Sequence, residues 1–251
     1  MLHRMLARLA AFRGYDLVQR ASLPAYPSDF APEEISIYEM AQPYTMTSPE
    51  RIISLIRAVD YVVRAEVPGD LVECGVWRGG SMMAVIATLQ RLGAAPRNLR
   101  LYDTFEGMTS PTKRDYASRD GRSASEVLMN EDIRESATWA YAPLDVVKRN
   151  IASTGYPDQL VHYIRGPVEE TIPDRAPKQI ALLRLDTDWY ESTRHELLHL
   201  YPRLASGGVL IIDDYGHWDG AREAVDEYIA ANGLRLLLAR IDYTGRIAIK
   251  P

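Results

Sequence analysis

The sequence predicts an α/β domain built on a doubly wound, mostly parallel sheet of seven strands. Short apolar runs alternate with segments of helical periodicity, which is typical of successive βαβ units. One of these runs, residues 180–186, is too apolar for a half-exposed edge strand and indicates a strand covered on both faces. The last two runs are joined by Tyr243-Thr244-Gly245, a connection short enough for an antiparallel C-terminal hairpin.

Composition limits the class of protein. The chain has 251 residues, 47% of them hydrophobic, which is enough for one large domain with a substantial core. The net charge of -5 disfavours nucleic acid and anionic membranes as partners. The single cysteine, Cys74, has no internal partner for a disulfide, so we expect a reducing, cytoplasmic location. No apolar run approaches the roughly 20 residues of a membrane-spanning helix, so we expect no membrane partner.

Residues 1–47 are predicted to form an N-terminal arm that serves as a docking element, a dimer interface or a substrate cap. The first twenty residues carry four arginines against one aspartate, and we interpret them as an amphipathic helix rather than a transit peptide. Residues 22–49 contain five prolines, which predicts a folded-over segment without regular secondary structure. The arm favours a homo-oligomer, with a dimer as the first expectation.

The rest of the chain, residues 48–251, is predicted to form the main domain. It begins with a helix that Ser48 can cap and that ends before Pro68. Two further helices, at 81–93 and 221–233, each end at a glycine. The seven strands are expected at 70–75, 98–103, 160–166, 180–186, 207–214, 235–242 and 246–250. The polar, mostly aperiodic stretch at about 108–148 is predicted to be a lid insertion, with disorder as the alternative.

A glycine loop follows the first predicted strand. Gly75, Gly79 and Gly80 would let a ligand approach the backbone and the N-terminus of the next helix. Their spacing departs from G-x-G-x-x-G, which argues against NAD and leaves another nucleoside cofactor open. Glu73 precedes the loop and could orient a ligand ammonium or a loop amide. Asp103 ends the second strand, where an acid can accept hydrogen bonds from ribose hydroxyls; a tight turn with a capping aspartate is the structural alternative.

Four aspartates follow two neighbouring buried strands. Asp186 and Asp188 come after the fourth strand, and Asp213 and Asp214 end the fifth. Parallel strands bring their carboxyl ends to one edge of the sheet, so these carboxylates should converge there. Oxygen ligands favour Mg²⁺ or Ca²⁺ over zinc. Helix capping and solvated strand ends are the alternatives that this pattern leaves open.

Four motifs in this order, LVECGVWRGGS, LYDTFEGM, LLRLDTDWYEST and GGVLIIDDYG, resemble the macrocin-type O-methyltransferases. These enzymes have a class I methyltransferase-like fold and methylate sugar hydroxyls of macrolide, aminocoumarin and related glycosides with S-adenosylmethionine and Mg²⁺. The resemblance extends from about Pro43 to Ile229. It therefore implies a small-molecule glycoside or glycan as the substrate.

The resemblance also implies roles for individual residues. The cofactor would be bound by Glu73, Gly75, Gly79, Gly80, Ser81, Asp103, Thr104, Phe105, Glu106, Gly166 and Val168. Mg²⁺ would be held by Asp186, Asp213 and Asp214. Catechol methyltransferases place a lysine where this chain has Trp189, so the proton acceptor is open among Asp186, Asp188 and His217.

Three other functions are consistent with parts of the sequence. The first is methylation of a catechol or phenol. The second is a zinc metallohydrolase, because His195-Glu196-Leu197-Leu198-His199 matches H-E-x-x-H, although no third ligand follows and the helix should run away from the acidic edge. The third is a cofactor-binding regulatory module without chemistry, which the acidic cluster argues against.

Overall fold

The computed structural model describes residues 26–129, 132–133 and 139–251, and within them it contains a seven-stranded sheet. The order of the strands is β3-β2-β1-β4-β5-β7-β6. Strands β1 to β5 pair in parallel, whereas β7 is antiparallel to both β5 and β6. The strand bounds are β1 Asp70–Cys74, β2 Leu99–Asp103, β3 Val161–Arg165, β4 Ile180–Leu185, β5 Leu204–Ile212, β6 Ala239–Arg240 and β7 Arg246–Ile249.

Helices cover both faces of this sheet. Their bounds are α1 Pro32–Ala41, α2 Pro49–Arg64, α3 Gly80–Arg91, α4 Ala124–Met129, α5 Leu144–Ala152, α6 Val168–Thr171, α7 Tyr190–Leu200 and α8 Asp219–Ala231. Side chains of α2, α3 and α5 form one apolar cluster with the sheet, and side chains of α6, α7 and α8 form the other. Because chain order reverses between β1 and β4, the crevice at their carboxyl ends is the expected ligand site of a doubly wound sheet. The predicted fold class is confirmed.

The arm differs from its prediction, because residues 22–49 contain helix α1 and a 3₁₀ turn at Gln42–Tyr44. Pro32 occupies the first helical turn, where its missing N–H costs nothing. The Glu34 carboxylate accepts a hydrogen bond from the backbone N–H of Ala31 at 2.9 Å and pairs with Arg57 on α2 at 2.8 Å. The prolines therefore delimit a helix instead of excluding one. The predicted amphipathic helix at residues 1–20 lies outside the described residues.

Two strand boundaries also differ. Strand β5 starts at Leu204 rather than residue 207, because Gly207 (φ 77°) lies inside the strand, where the register with β4 shifts. Strand β6 has two residues instead of the predicted eight. Leu236 and Leu238 pack against an apolar cluster whereas Leu237 is 85% exposed, so core packing rather than strand pairing explains most of that apolar run.

The predicted lid is shorter at its C-terminal end, because helix α5 begins at Leu144 and packs Val147 and Ile151 into the core. The described part of 108–143 contains α4 and a bridge between Tyr116 and Ser123. A second bridge, Ala117 to Trp218, ties this region to the start of α8. Movement of the lid stays a prediction. Within the described ranges, no helix has the length and apolar character needed to cross a membrane.

Candidate active site

A cavity of about 630 Å³ opens at the carboxyl ends of β1, β4 and β5. The glycine loop and β2 form one side of it, and the four predicted aspartates form another. The arm segment 44–47 contributes part of the wall, and so does the lid hairpin around residues 117–122. The sheet edge, the arm and the lid thus meet around a single site.

On the glycine-loop side, Asp103 is fixed by backbone amides. Its Oδ2 accepts hydrogen bonds from the N–H groups of Val76 (2.7 Å) and Trp77 (3.0 Å), and its Oδ1 accepts one from Phe105 (2.6 Å). Burial raises the pKa of Asp103 above its ordinary value, although these hydrogen bonds oppose the shift. Gly75 has φ 82°, and a Cβ there would lie 1.8 Å from the Asp186 carbonyl oxygen, so only glycine fits.

The structure places six of the predicted cofactor residues on the cavity wall: Gly75, Ser81, Asp103, Thr104, Gly166 and Val168. The other five are not part of this wall. Glu73 pairs with Arg184, Phe105 is in the core, and Glu106 pairs with Arg165. A Cβ on Gly79 would contact Ile151, and one on Gly80 would lie 2.6 Å from the backbone of Tyr44. Direct cofactor contact by any of the eleven stays a prediction.

Arg184 on β4 is the centre of a buried ionic network that the sequence did not reveal. Its guanidinium lies 2.6 Å from Glu73 Oε1, 2.8 Å from Asp186 Oδ2 and 2.8 Å from Asp213 Oδ1. It also donates to Thr47 Oγ1 of the arm at 3.1 Å. The arginine inside the apolar run 180–185 was the one available signal, since a buried cation requires partners.

The predicted metal ligands converge. Asp186, Asp213 and Asp214 each offer a carboxylate oxygen, and these oxygens lie within 4.8 Å of one another. Burial, followed by the charges of neighbouring carboxylates, raises the pKa of Asp214 well above its ordinary value. Burial also raises the pKa of Asp186, against the opposing effect of Arg184. The cluster is therefore costly to ionise without a further positive charge.

Charges around this cluster do not balance. Five carboxylates lie at the edge or just beneath it: Glu73, Asp186, Asp188, Asp213 and Asp214. The two guanidiniums among them belong to Arg184 and to Arg51, which contacts Asp213 from helix α2. The Glu73 Oε2 atom is buried without a hydrogen-bond partner, and burial raises the pKa of Glu73 to about 7. This deficit of positive charge and the oxygen donor set fit a hard divalent cation.

Two candidate proton acceptors also line the cavity. Asp188 has φ 64°, and its Oδ1 accepts a hydrogen bond from the Trp218 indole at 2.7 Å. Burial raises the pKa of Asp188 to about 6. The His217 ring packs edge-on against Trp218 and Tyr243, and burial together with the charge of Arg51 lowers its pKa. The lowered pKa favours the neutral form of the His217 imidazole.

The H-E-x-x-H segment lies on α7 and does not form a zinc site. The His195 Nε2 atom lies 2.9 Å from the Ile172 carbonyl oxygen, whereas Glu196 is fully buried and accepts a hydrogen bond from Thr187 Oγ1 at 3.0 Å. In the part of the chain that the structure describes, the cluster of Asp186, Asp213 and Asp214 is the one group of side chains suited to a metal. Within the described residues no third side chain completes a metal site with His195 and His199, so this geometry does not support the zinc metallohydrolase.

The sheet order, with an antiparallel β7 beside β5 and a glycine loop after β1, is that of the class I methyltransferases. A family model described as macrocin O-methyltransferase (TylF) matches residues 37–248, and the chain belongs to this family of O-methyltransferases. Membership implies S-adenosylmethionine as the methyl donor, so the regulatory module without chemistry is not supported.

Curated relatives and a solved structure agree with this assignment. A tetracenomycin rhamnosyl 4'-O-methyltransferase of Streptomyces olivaceus is 36% identical over 202 residues, which cover 80% of this chain and 74% of that protein. Mycinamicin III 3''-O-methyltransferase of Micromonospora griseorubida is 33% identical, with 80% and 76% covered. The structure of the O-methyltransferase NovP superposes with a TM-score of 0.73 at 29% identity, covering 99% of this chain and 97% of that one.

Proposed function

We propose that this enzyme transfers a methyl group from S-adenosylmethionine to a sugar hydroxyl of a glycoside or glycan in a reaction that requires Mg²⁺. The convergence of Asp186, Asp213 and Asp214 on the cavity that also contains the glycine loop carries the proposal. The names of the relatives support a sugar acceptor, since one acts on a rhamnosyl tetracenomycin and another on mycinamicin III. A cytoplasmic location and a homodimer stay predictions.

The glycine-loop side of the cavity is proposed to bind the cofactor. Gly75 allows close approach to the backbone, and Ser81 lies on the same wall in the first turn of α3. Asp103 is proposed to accept hydrogen bonds from the ribose, with its carboxylate already oriented by three backbone amides. Gly166 and Val168 after β3 are proposed to border the adenine.

The acidic side is proposed to hold Mg²⁺ through Asp186, Asp213 and Asp214. A bound Mg²⁺ lowers the pKa of a hydroxyl that it ligates and fixes the direction from which that hydroxyl attacks. Arg184 orients two of these carboxylates by binding one oxygen of Asp186 and one of Asp213. Trp218 restrains Asp188 beside them, so the acceptor sugar would meet side chains already held in place.

We propose His217 as the proton acceptor, with Asp188 as the second candidate. Asp186 is bound to Arg184, and Asp188 is bound to the Trp218 indole, so both carboxylates are already engaged. The His217 side chain lines the cavity, and its lowered pKa leaves a neutral imidazole that can accept the hydroxyl proton. Transfer would form a bond between the hydroxyl oxygen and the methyl carbon and break the carbon–sulfur bond, with S-adenosylhomocysteine as the leaving group and the proton held by His217.

A methylation screen tests this function. The purified enzyme is incubated with S-adenosylmethionine and panels of glycosides, nucleotide sugars, catechols and phenols, with added Mg²⁺ or with EDTA, and products are detected by mass spectrometry. We expect a product 14 Da heavier from a sugar-containing acceptor, lost with EDTA and restored by Mg²⁺. Methylation of catechols alone would contradict the acceptor class. Full activity in EDTA would contradict the metal requirement, and calorimetry without cofactor binding would contradict the whole proposal.

A further inference from the structure

We infer that Arg51 is a built-in competitor of the divalent cation, so that its guanidinium and the metal exclude each other at Asp213 Oδ2. This inference rests on the metal site of the proposed function, but it assigns a role to a residue outside the ligand set. Competition by Arg51 would make the affinity for metal depend on helix α2 and on the C-terminal hairpin, the two elements that hold this side chain.

The contacts of Arg51 carry the argument. Arg51 lies in the first turn of α2, where its backbone N–H donates to the capping Ser48 hydroxyl at 3.2 Å. Its side chain crosses to the end of β5, and Nη1 contacts Asp213 Oδ2. The other oxygen of this carboxylate, Oδ1, is bound by Arg184 at 2.8 Å. Both oxygens of Asp213 are thus engaged by guanidinium groups.

A metal needs one of these oxygens. Asp213 belongs to the three-carboxylate cluster, and a ligating oxygen must direct a lone pair at the cation. The Arg184 contact lies deeper, because only 3% of that side chain is exposed, whereas 15% of the Arg51 side chain is exposed. Each carboxylate oxygen has two lone pairs, so a hydrogen bond alone leaves room for a cation, but two positive charges at the same oxygen repel each other. Arg51 is therefore the group that has to leave Asp213 when the metal binds.

Asp242, in the turn between β6 and β7, provides a second position for this guanidinium. Its Oδ2 lies 3.0 Å from Arg51 Nε and accepts a hydrogen bond from the Ser48 hydroxyl at 2.7 Å. Its Oδ1 accepts hydrogen bonds from the N–H groups of Thr244 (2.9 Å) and Gly245 (2.7 Å). The Arg51 side chain can therefore release Asp213 by turning its outer end while its Nε stays bound to Asp242.

Metal titration without cofactor or acceptor tests the inference. Mg²⁺ binding is followed by calorimetry, and Mn²⁺ binding by electron paramagnetic resonance, in the full-length wild type and in Arg51→Gln, Asp242→Asn and the double variant. Arg57→Gln is the matched control, since it removes a charge from the same helix at its pair with Glu34. We expect Arg51→Gln to tighten metal binding about tenfold, the order expected for removing one unit charge near the site.

Asp242→Asn should have the opposite effect, because Arg51 is then left with Asp213 as its remaining carboxylate. If Asp242 acts by holding the Arg51 guanidinium, Asp242→Asn should weaken metal binding less when Arg51 is already replaced. If Asp242 acts only as a distant negative charge, its replacement should weaken metal binding equally in both backgrounds. Thermal unfolding in EDTA reports whether each variant is folded. Unchanged or weaker binding by folded Arg51→Gln would overturn the inference, as would equal effects of Asp242→Asn with and without Arg51.

The titration separates this inference from the proposed function. If Arg51→Gln binds metal and the wild type does not, the Arg51 guanidinium blocks the metal site completely, which would support the inference. Absence of metal binding in every variant would overturn the competition and the proposed Mg²⁺ site together. A shift in metal affinity alongside failure of all acceptors in the methylation screen would leave Arg51 in this role and contradict only the proposed reaction.

Discussion

The two sides of the cavity bury carboxylates in different ways. On the glycine-loop side, Asp103 is bound by three backbone N–H groups and has no cationic side chain among its hydrogen-bond donors. On the acidic side, the carboxylates share the guanidiniums of Arg184 and Arg51 and still outnumber them. Backbone amides belong to the folded loop itself, whereas the carboxylates on the other side exceed the cationic side chains that pair with them.

This difference separates what each side contributes. The loop around Asp103 is complete without a ligand, so a substitution there should disturb the loop and cofactor binding together. Under the proposed function the acidic side holds a cation, so removal of one carboxylate should relieve repulsion in the metal-free protein and still abolish the chemistry. Three predictions test this contrast.

The largest effect is expected from Asp214→Ala. Because Asp214 forms no ion pair with Arg184 or Arg51 in the part of the chain that the structure describes, its loss removes a proposed metal ligand without freeing a buried guanidinium. Turnover should fall at least about a hundredfold, since metal assistance supplies several kcal/mol. The affinity for S-adenosylmethionine, measured by calorimetry, should change less than about threefold, well under the 1.4 kcal/mol of a tenfold change.

Asp213→Ala should show the same split between turnover and cofactor affinity. The exposed Asp174, replaced by alanine, is the matched control for loss of an acidic side chain far from the site. Near-normal turnover in both Asp213→Ala and Asp214→Ala would exclude the proposed metal role. Equal losses of turnover and cofactor affinity would instead contradict the division of the cavity into two independent sides.

A smaller effect is expected from Asp103→Asn, and here cofactor affinity rather than metal binding should change. An amide has one accepting oxygen, so at least one of the N–H groups of Val76, Trp77 and Phe105 would face a donor. We expect cofactor affinity to fall about tenfold and stability by about 1–3 kcal/mol. Calorimetry and urea unfolding measure these two quantities. Unchanged Mn²⁺ affinity is expected in this variant, and a parallel loss of metal binding would show that the two sides are coupled.

Sequence reasoning succeeded where the pattern is local. Apolar runs alternate with helical segments, and Asp186 and Asp213 follow two such runs directly, so both the sheet and the convergence of the acids were predictable. Helix α1 is not predicted from the sequence because the five prolines around it indicate irregular structure, although Pro32 stands at a position where a helix tolerates proline. The boundaries of β5 and β6 depended on a bulge and on core packing, which composition does not show.

The ionic network could not be derived from one sequence. Arg51 and Asp213 are 162 positions apart, and Arg184 and Glu73 are 111 apart, so no spacing rule connects them. Arg51 lies in an amphipathic helix where an arginine is ordinarily a solvated residue. Its partners are determined by the way α2 crosses the sheet edge, which only the tertiary structure defines.

The smallest expected effect is on the pH dependence of stability in the metal-free protein. The pKa of Asp188 is raised to about 6, so the folded state binds its proton more tightly than the unfolded state does. The contribution of Asp188 to stability should therefore fall as the pH rises from about 4 to about 6. Glu73, with a pKa of about 7, acts in the same direction up to that pH.

Urea unfolding in EDTA across this range should show Asp188→Asn losing less stability than the wild type, by roughly 1 kcal/mol because the side chain keeps some solvent contact. The same comparison made in an Asp103→Asn background should give the same difference, because the raised pKa of Asp103 is then absent from both proteins. Identical pH profiles for the wild type and Asp188→Asn would show that the acidic side is already neutralised within the protein.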